Sequence, residues 1–411
     1  MIMSGVQQMS LGGTLESAAQ PVTAMPFCRT EIHDSMDSCA AAWSRLEACA
    51  PVSWYQTRHW AAAWHASIGA ADAGKLRIIV AYDADDKPCF LLPLVMVRRG
   101  WLHQARFTGA KDSNFNLALF RPQDRWDMAA VQHLLHQAAH QMQPCPDSFV
   151  LLNQPGQWDG TANPLALLAT QPSPSFGHRG ALQPPAETLL AGLLSRDHRK
   201  KLARKFRRLQ EMGPTRCDFA ETTQAIEAAI MAFGQQKSAR LREMGISDLA
   251  CDARTLAFMR RLSHPATAAE PARMRWATLT VGERIVATYG GGIHRGQFQA
   301  MVNSICLDPE IARSSPGECL LNWLVARCCE DGLTGFDLGV GEGSYKKLYC
   351  PEDEPLFDTI LPISAAGLAA AHVQRAALRA KRVIKQNEFL WTTSLRLRRR
   401  LRSREAVPPQ Q

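Results

Sequence analysis

The stretch Asp308-Pro-Glu-Ile-Ala-Arg313-Ser314-Ser315-Pro316-Gly317-Glu318 carries the residue types that capture an anion. Ser315 suits an N-cap, Pro316 the first helical position and Glu318 the far corner of a capping box. The spacing predicts a helix from Pro316 whose core face runs through Leu320, Leu321, Leu324 and Cys328. The first N–H groups of a helix have no partner within it and make a site for phosphate or carboxylate. Gly317 lets a pyrophosphate approach the backbone closely, and Arg313 adds a full charge beside it. Helix capping alone would also account for these residue types.

A second constellation is Gly335-Phe-Asp337-Leu-Gly339-Val-Gly341-Glu-Gly343-Ser-Tyr345-Lys346-Lys347. Its glycines fit neither the dinucleotide fingerprint nor the Walker loop, since Ser344 stands where the former needs glycine and no glycine precedes a Lys-Ser/Thr pair. They read instead as a bulge that aims Asp337, Tyr345 and Lys346 into a cleft. Asp337 can accept a proton through water or tie down a turn. Tyr345 can donate a proton or simply pack, and Lys346 can bind an anion or stand in solvent beside Lys347. Upstream, Asp112, Asn114 and Asn116 alternate after Lys111, so an extended segment would point them one way. Contact with a sugar and hydrogen bonding within a loop both suit them. His133, His136 and His140 form one helical stripe without a carboxylate at ligand spacing, and no CxxC pair occurs among twelve cysteines. No metal is expected, and the thiols read as reduced.

The elements that must position these residues come in two similar series. The first is a strand (27–32), helices (35–49 and 56–67), strands (76–82, 89–97 and 102–108), a helix (124–142) and a strand (148–153). Pro172, Pro174, Pro184 and Pro185 then punctuate an exit, and one long helix is predicted over 186–211, with Leu202, Phe206 and Leu209 on one face and a basic stripe on the other. The second series is a strand (215–219), helices (222–243 and 252–262), strands (274–281, 284–293 and 297–306) joined by hairpin-like turns, a helix (316–331), a strand (335–339), a short helix and a last strand (357–362). The fold class is therefore α/β (α+β): two tandem units with mixed, mostly antiparallel sheets. The expected division is a disordered leader over 1–25, an N-terminal unit over 26–185, a C-terminal unit over 186–363 and a basic helical tail over 364–411.

With 46% hydrophobic and 21% charged residues, the 411-residue chain has the composition of a globular protein and no apolar run long enough to cross a bilayer. The start lacks the basic and apolar regions of a secretory signal, so a cytoplasmic protein is expected. The net charge of +9 resides in the tail, because residues 372–411 hold eleven Lys/Arg and two Glu. A second basic cluster, 196–208, holds eight Lys/Arg. A neutral body argues against general nucleic-acid binding. The tail sets Arg396, Arg398, Arg399, Arg400, Arg402 and Arg404 among Leu390, Trp391, Leu397 and Leu401, as an interfacial helix on an anionic leaflet does; RNA is the competing partner.

The element order of the second series is that of GNAT N-acyltransferases. The paired motifs Arg-Ser-Ser-Pro-Gly and Phe-Asp-Leu-Gly-x-Gly-x-x-x-Tyr-Lys resemble the BioF-like, CelD-type acetyltransferase family, which is related to the Fem aminoacyltransferases. The segments Ser195-Arg-Asp-His-Arg-Lys-Lys-Leu, Gln236-Lys-Ser-Ala-Arg240 and Gly109-Ala-Lys111-Asp112-Ser-Asn114-Phe-Asn116 are similar to that family as well. The resemblance spans residues 54–362. It implies an acyl-CoA donor, acetyl-CoA above all, held by Arg313, Ser314, Ser315, Gly317 and Glu318. It also implies backbone N–H groups near Asn303, Ser304 and Ile305 that stabilise the oxyanion. Tyr345 would protonate the thiolate, with Tyr349 as the alternative. Asp337 would take the amine proton, and Lys346 would meet an anionic acceptor or phosphate. Lys111, Asp112, Asn114, Asn116 and Arg240 would bind the acceptor in a groove between the units.

The function so implied is N-acylation of an amino sugar, or of a related small-molecule or glycan amine, in exopolysaccharide, cellulose or envelope biosynthesis. An anionic membrane surface or a polysaccharide synthase would be met through residues 372–404. Two alternatives stay open: a Fem-like transferase using aminoacyl-tRNA, and a non-catalytic GNAT-fold scaffold of a synthase complex.

Overall fold

The computed structural model describes residues 25–69, 74–244, 252–264, 274–341, 343, 345–387 and 390. The leader expected over 1–25 (Met25 apart) and the tail residues Trp391 to Arg404 lie outside them.

The N-terminal series is β1 (Arg29–His33), α1 (Ala40–Cys49), α2 (Arg58–Trp64), β2 (Lys75–Tyr82), β3 (Pro88–Arg99), β4 (Leu102–Phe107), β5 (Leu119–Phe120), α3 (Met128–Gln141) and β6 (Ser148–Pro155). A small ribbon of β7 (Gln157–Trp158) and β8 (Thr161–Ala162) leads to β9 (Gln171–Ala181). The C-terminal series is α4 (Ala186–Leu193), α5 (Arg196–Met212), β10 (Thr215–Phe219), α6 (Thr223–Glu243), α7 (Ala253–Ser263), β11 (Met274–Val281), β12 (Arg284–His294) and β13 (Gln297–Ile305). It continues with α8 (Pro309–Ala312), α9 (Pro316–Glu330), β14 (Gly335–Val340), α10 (Lys346–Tyr349) and β15 (Asp353–Pro362), and α11 (Ala365–Gln386) follows.

Among the described residues, thirteen strands form one mixed sheet in the order β1-β2-β3-β4-β6-β15-β9-β14-β13-β12-β11-β10, with β5 paired to β3. The order is symmetric about the β15–β9 pair. Each half builds five strands in the same succession and then sends its last strand into the other half. Thus β15 pairs with β6 of the N-terminal half, and β9 pairs with β14 of the C-terminal half. The boundary expected at 185/186 falls in the chain between β9 and α4, while the sheet runs through without a break.

Two expectations are corrected. The strand β9 replaces what Pro172 and Pro174 suggested was a loop. Both prolines precede Gly177, the residue that meets the end of β14, so neither must donate a hydrogen bond on that side. The predicted single helix over 186–211 is two helices. Leu194 is extended and buried, and the Ser195 hydroxyl accepts from His198 N at 3.2 Å, which starts α5 as a new helix.

Elsewhere the starts of helices follow their capping residues: Asp127 for α3, Thr222 for α6 and Asp252 for α7 each accept a first-turn N–H. Leu320, Leu321, Leu324 and Cys328 of α9 are buried against the C-terminal sheet, together with Leu202 and Leu209 of α5. The helix α11 lies against β9 and β15, where Arg375 donates to Ile360 O at 2.7 Å and Arg382 to Ser173 O at 2.8 Å. No helix among the described residues is long and apolar enough to cross a membrane.

Candidate active site

Parallel pairing of β13 with β14 covers only Gln297–Gln299 against Gly335–Asp337. Beyond that point β14 keeps its partner β9, and β13 runs on to Ile305 bonded on one side alone. The two strands therefore part in a V. Along β13 the N–H groups that do not face β12 point into this V, since donors alternate sides along a strand. A bulge sharpens the feature: Gly290 pairs with Val302 and Gly291 with Ala300, so Met301 is the extra residue. The run Gly290-Gly291-Gly292 permits it, because a Cβ on Gly291 would stand 2.4 Å from Gln299 O and one on Gly292 2.1 Å from the Trp54 ring.

Side chains of Asn303, Ser304 and Ile305 divide their tasks. Asn303 Nδ2 donates to the Tyr345 hydroxyl at 3.2 Å, and the buried Tyr289 hydroxyl belongs to the same cluster. Burial pushes Tyr289 well above the ordinary tyrosine range. Ser304 is tied to Thr288 at 2.7 Å and donates to Gln236 Oε1 at 2.8 Å, which fixes the end of β13 to α6. Ile305 meets the start of α9, where a Cβ on Gly317 would lie 2.7 Å from its Cγ2. Gly317 thus lets the N-terminus of α9 sit directly on the mouth of the V.

The capping box expected there is corrected. Ser315 adopts a left-handed conformation (φ 46°) and makes no side-chain cap, and Glu318 turns to His198 Nε2 at 2.7 Å and Lys205 at 3.0 Å on α5. No side-chain carboxylate or hydroxyl therefore caps the first turn: Pro316 has no N–H, Glu318 N and Cys319 N bond Ser315 O at 3.0 and 3.2 Å, and the Gly317 N–H is the donor left for an anion. The loop's Ser314 is buried, with a hydroxyl that has no partner among the described residues. Arg313 is exposed and makes no ion pair among them. The Gly317 N–H, a partnerless Ser314 hydroxyl, a Glu318 paired to His198 and Lys205, and the exposed Arg313 guanidinium fit a pyrophosphate.

At the apex of the V the two halves of the chain meet. Asn114, from the N-terminal half, donates to Ala300 O at 3.2 Å on β13, and its Oδ1 accepts from Val340 N at 3.3 Å on β14. Its amide also donates to the Tyr55 hydroxyl at 2.7 Å. Gln299, the last paired residue of β13, accepts from Trp54 N at 2.9 Å. Asp337, opposite Gln299, is fully buried; one carboxylate oxygen accepts from Gly339 N, and the other has no partner among the described residues. Burial pushes this carboxyl up to about 7, against the opposing pull of Gly339 N–H, Arg179 and Lys346. Arg179 arrives on the exchanged strand β9 directly opposite Asp337, stacked over Trp158 at 3.8 Å. Lys346 is buried rather than displayed to solvent, with Nζ 3.2 Å from Val340 O. It braces the turn after β14.

The alternation expected to align Asp112, Asn114 and Asn116 does not hold. Residues 110–112 form a helical turn, which breaks the extended geometry. Asp112 accepts from Trp64 Nε1 at 2.9 Å, and Asn116 donates to Leu152 O at 2.9 Å. Both line, with Lys111, a cavity of about 680 Å³ in the N-terminal half that reaches Val340 and Gly341. Arg240, exposed on the last turn of α6, is not part of that cavity. Tyr55, Tyr289, Gln299, Arg179 and the Met301 bulge escaped the sequence reading. The three consecutive glycines were the signal for the bulge. The described residues include no group of three or more His, Cys, Asp or Glu placed to hold a metal ion.

Residues 196–347 match the family model of the acetyltransferase (GNAT) domain, Acetyltransf_6. No curated protein matches the chain. Among solved structures, the chain is similar to a conserved protein of unknown function from Bacteroides thetaiotaomicron VPI-5482. Identity is 12% and the TM-score 0.50, over 81% of this chain and 100% of that one. It is also similar to FemX, at 10% identity and a TM-score of 0.51, over 81% of this chain and 98% of that one. At these identities the likeness concerns the fold. Residues 196–347 thus have a GNAT-type acyltransferase fold, and the whole chain is a mixed α/β protein whose two halves repeat one strand order about the β15–β9 pair.

Proposed function

We propose that this chain is an acyl-CoA-dependent N-acyltransferase, with acetyl-CoA as donor and the amine of an amino sugar or related small molecule or glycan as acceptor. The observation that carries the reading is the V between β13 and β14, with a bulge at Met301 on one arm and the open N-terminus of α9 at its mouth. The donor supplies an activated thioester carbonyl. Arg313, the Gly317 N–H and the Ser314 hydroxyl would hold its pyrophosphate, with Ser315 and Glu318 shaping the loop around them. N–H groups of Met301 to Ile305 would meet the carbonyl oxygen as it gains charge. Asp337, whose free oxygen lies at the apex, takes the proton from the attacking amine, and Tyr345, held by Asn303, returns one to the departing sulfur.

The likeness of the motifs to the BioF-like, CelD-type family supports exopolysaccharide, cellulose or envelope assembly as the setting. A synthase or anionic membrane would then be met by the outer face of α11 and the residues after it. One observation favours a second reading, transfer from aminoacyl-tRNA: Arg199, Lys200, Arg204, Arg207 and Arg208 of α5 are exposed beside the helix that Glu318 belongs to. Thiol release from acetyl-CoA in the presence of an amino-sugar panel tests the first reading. Tyr345→Phe is expected to lower kcat by about 100-fold while the KM for acetyl-CoA stays within about twofold. A Tyr345→Phe protein as active as the parent would remove Tyr345 from the chemistry, and no thiol release with any amine would favour the tRNA donor.

A further inference from the structure

The strand exchange gives the N-terminal half a V of its own. Pairing of β4 with β6 covers only Gln104–Arg106 against Ser148–Val150, and the two part beyond it. The cavity of about 680 Å³ opens there, bounded by β9 at Pro174 and Ser175 and roofed by α11 at Leu378, Lys381 and Lys385. Its charge is one-sided. Arg98, Arg99, Arg106, Lys111, Lys381 and Lys385 line it. Two carboxylates share the lining: Asp112 accepts from the Trp64 indole, and Asp358 accepts from Asn153 N at 3.0 Å and the Ser173 hydroxyl through one oxygen and lies within the field of Lys381, so six cations face two carboxylates.

Arg106 is the most telling of these cations. It projects from the last paired position of β4, and its only hydrogen bond among the described residues goes to the neutral Gln104 Oε1 at 2.5 Å. Its Nε is buried without a partner, and no carboxylate among the described residues forms an ion pair with it. Burial and the neighbouring Arg99 both pull the guanidinium below its ordinary range. A cation held in such a place without a counter-charge is costly unless an anion completes it. Uncharged polar groups, Asn116 and Ser175, share the wall, and the cavity has the size of a small-ligand site. Its far wall, Val340 and Gly341, is the end of β14, three and four residues from Asp337.

We propose that this cavity binds the phosphate or diphosphate group of an anionic ligand, and that the amine acceptor enters the reaction as such a phosphorylated molecule. The assignment of the ligand as acceptor rests on the acyltransferase reading; the anion site does not. The phosphate can belong to a soluble molecule or to a lipid headgroup, since α11 lies at the surface with Val373 and Val383 exposed.

The test is calorimetric titration with inorganic pyrophosphate, in parallel with sedimentation on phosphatidylglycerol and phosphatidylcholine vesicles. The full chain carries Arg313→Ala throughout, which weakens the other anion site. Arg106→Gln and Lys381→Glu are then added singly. Lys381 is exposed, so its variant folds even where Arg106→Gln does not. Pyrophosphate binding that either variant weakens at least tenfold supports the proposal with a soluble ligand. Binding to phosphatidylglycerol vesicles alone, lost in the same variants, supports it with a lipid ligand. No binding of either, or binding that both variants keep, overturns it. Acetyl-CoA is titrated into the parent protein beside these. Its binding in the absence of anion binding would defeat this proposal and leave the acyltransferase standing, and the converse would do the reverse. A loss of acetyl-CoA binding in Lys381→Glu would make the cavity the coenzyme's own and overturn the proposal as well.

Discussion

Asp337 sits where water cannot solvate it, and this burial makes the carboxyl hold its proton up to about pH 7. The unfolded chain releases that proton near the ordinary aspartate value of 3.8. Between these values the folded state binds one proton more than the unfolded state, so this group's contribution to stability falls as pH rises and levels off above about 7. Asp337→Asn removes that dependence. The parent should lose on the order of 2–3 kcal/mol more than the variant between pH 5 and pH 8, at about 1.4 kcal/mol per pH unit. Denaturant unfolding at both pH values measures it, and parallel curves would show that Asp337 ionises normally. As a base Asp337 must be ionised, so kcat/KM should rise through about pH 7 in the parent. That Asp337, Tyr345 and the start of α9 lie near the end of β13 was legible in the sequence, because their motifs are local. Tyr55 and Arg179 were not, because contacts far apart along the chain bring them to Asp337.

At the scale of elements, the site depends on how two strands are made to part and stay parted. Asn114 bridges Ala300 and Val340 across the apex, and Gly339 (φ 70°) gives it room, since a Cβ there would lie 2.3 Å from Asn114 Nδ2. Gly339→Ala should therefore cost about 1–3 kcal/mol through strain and the displaced amide. It should also lower kcat together with stability. Chemical unfolding of the variant checks this, and a change below about 0.5 kcal/mol would mean that the bridge is dispensable. The meander β11–β13 was readable from its turns at Gly282 and Gly296, both of positive φ. The strand β9 was hidden by prolines that only the final pairing makes harmless. The break between α4 and α5 was hidden by an apolar period that continues across Ser195.

Across the whole molecule, the sequence suggested two units end to end, and the sheet interlocks them. β14 borders the N-terminal strand β9, and β15 lies between β6 and β9. A fragment of residues 186–411 would expose one edge of β14 and both edges of β15. It should fail to fold alone, with flat amide proton dispersion, whereas the full chain unfolds in one transition. A well-dispersed spectrum of the fragment would show that the exchange is not needed for folding. The same interlock places the two Vs on either side of the β15–β9 pair, and under the proposed function donor and acceptor would approach the apex at Asp337 from separate halves.

Titration of the full chain with acetyl-CoA by calorimetry, beside Gly317→Val and Arg313→Ala, tests the central claim most directly. Gly317→Val drives a side chain into Ile305 at the mouth of the V, and Arg313→Ala removes the exposed charge. The parent should bind one equivalent at micromolar Kd, Arg313→Ala should bind several-fold more weakly, and Gly317→Val at least tenfold more weakly. Absence of binding by the parent, or equal binding by all three proteins, would contradict a coenzyme site between β13 and α9.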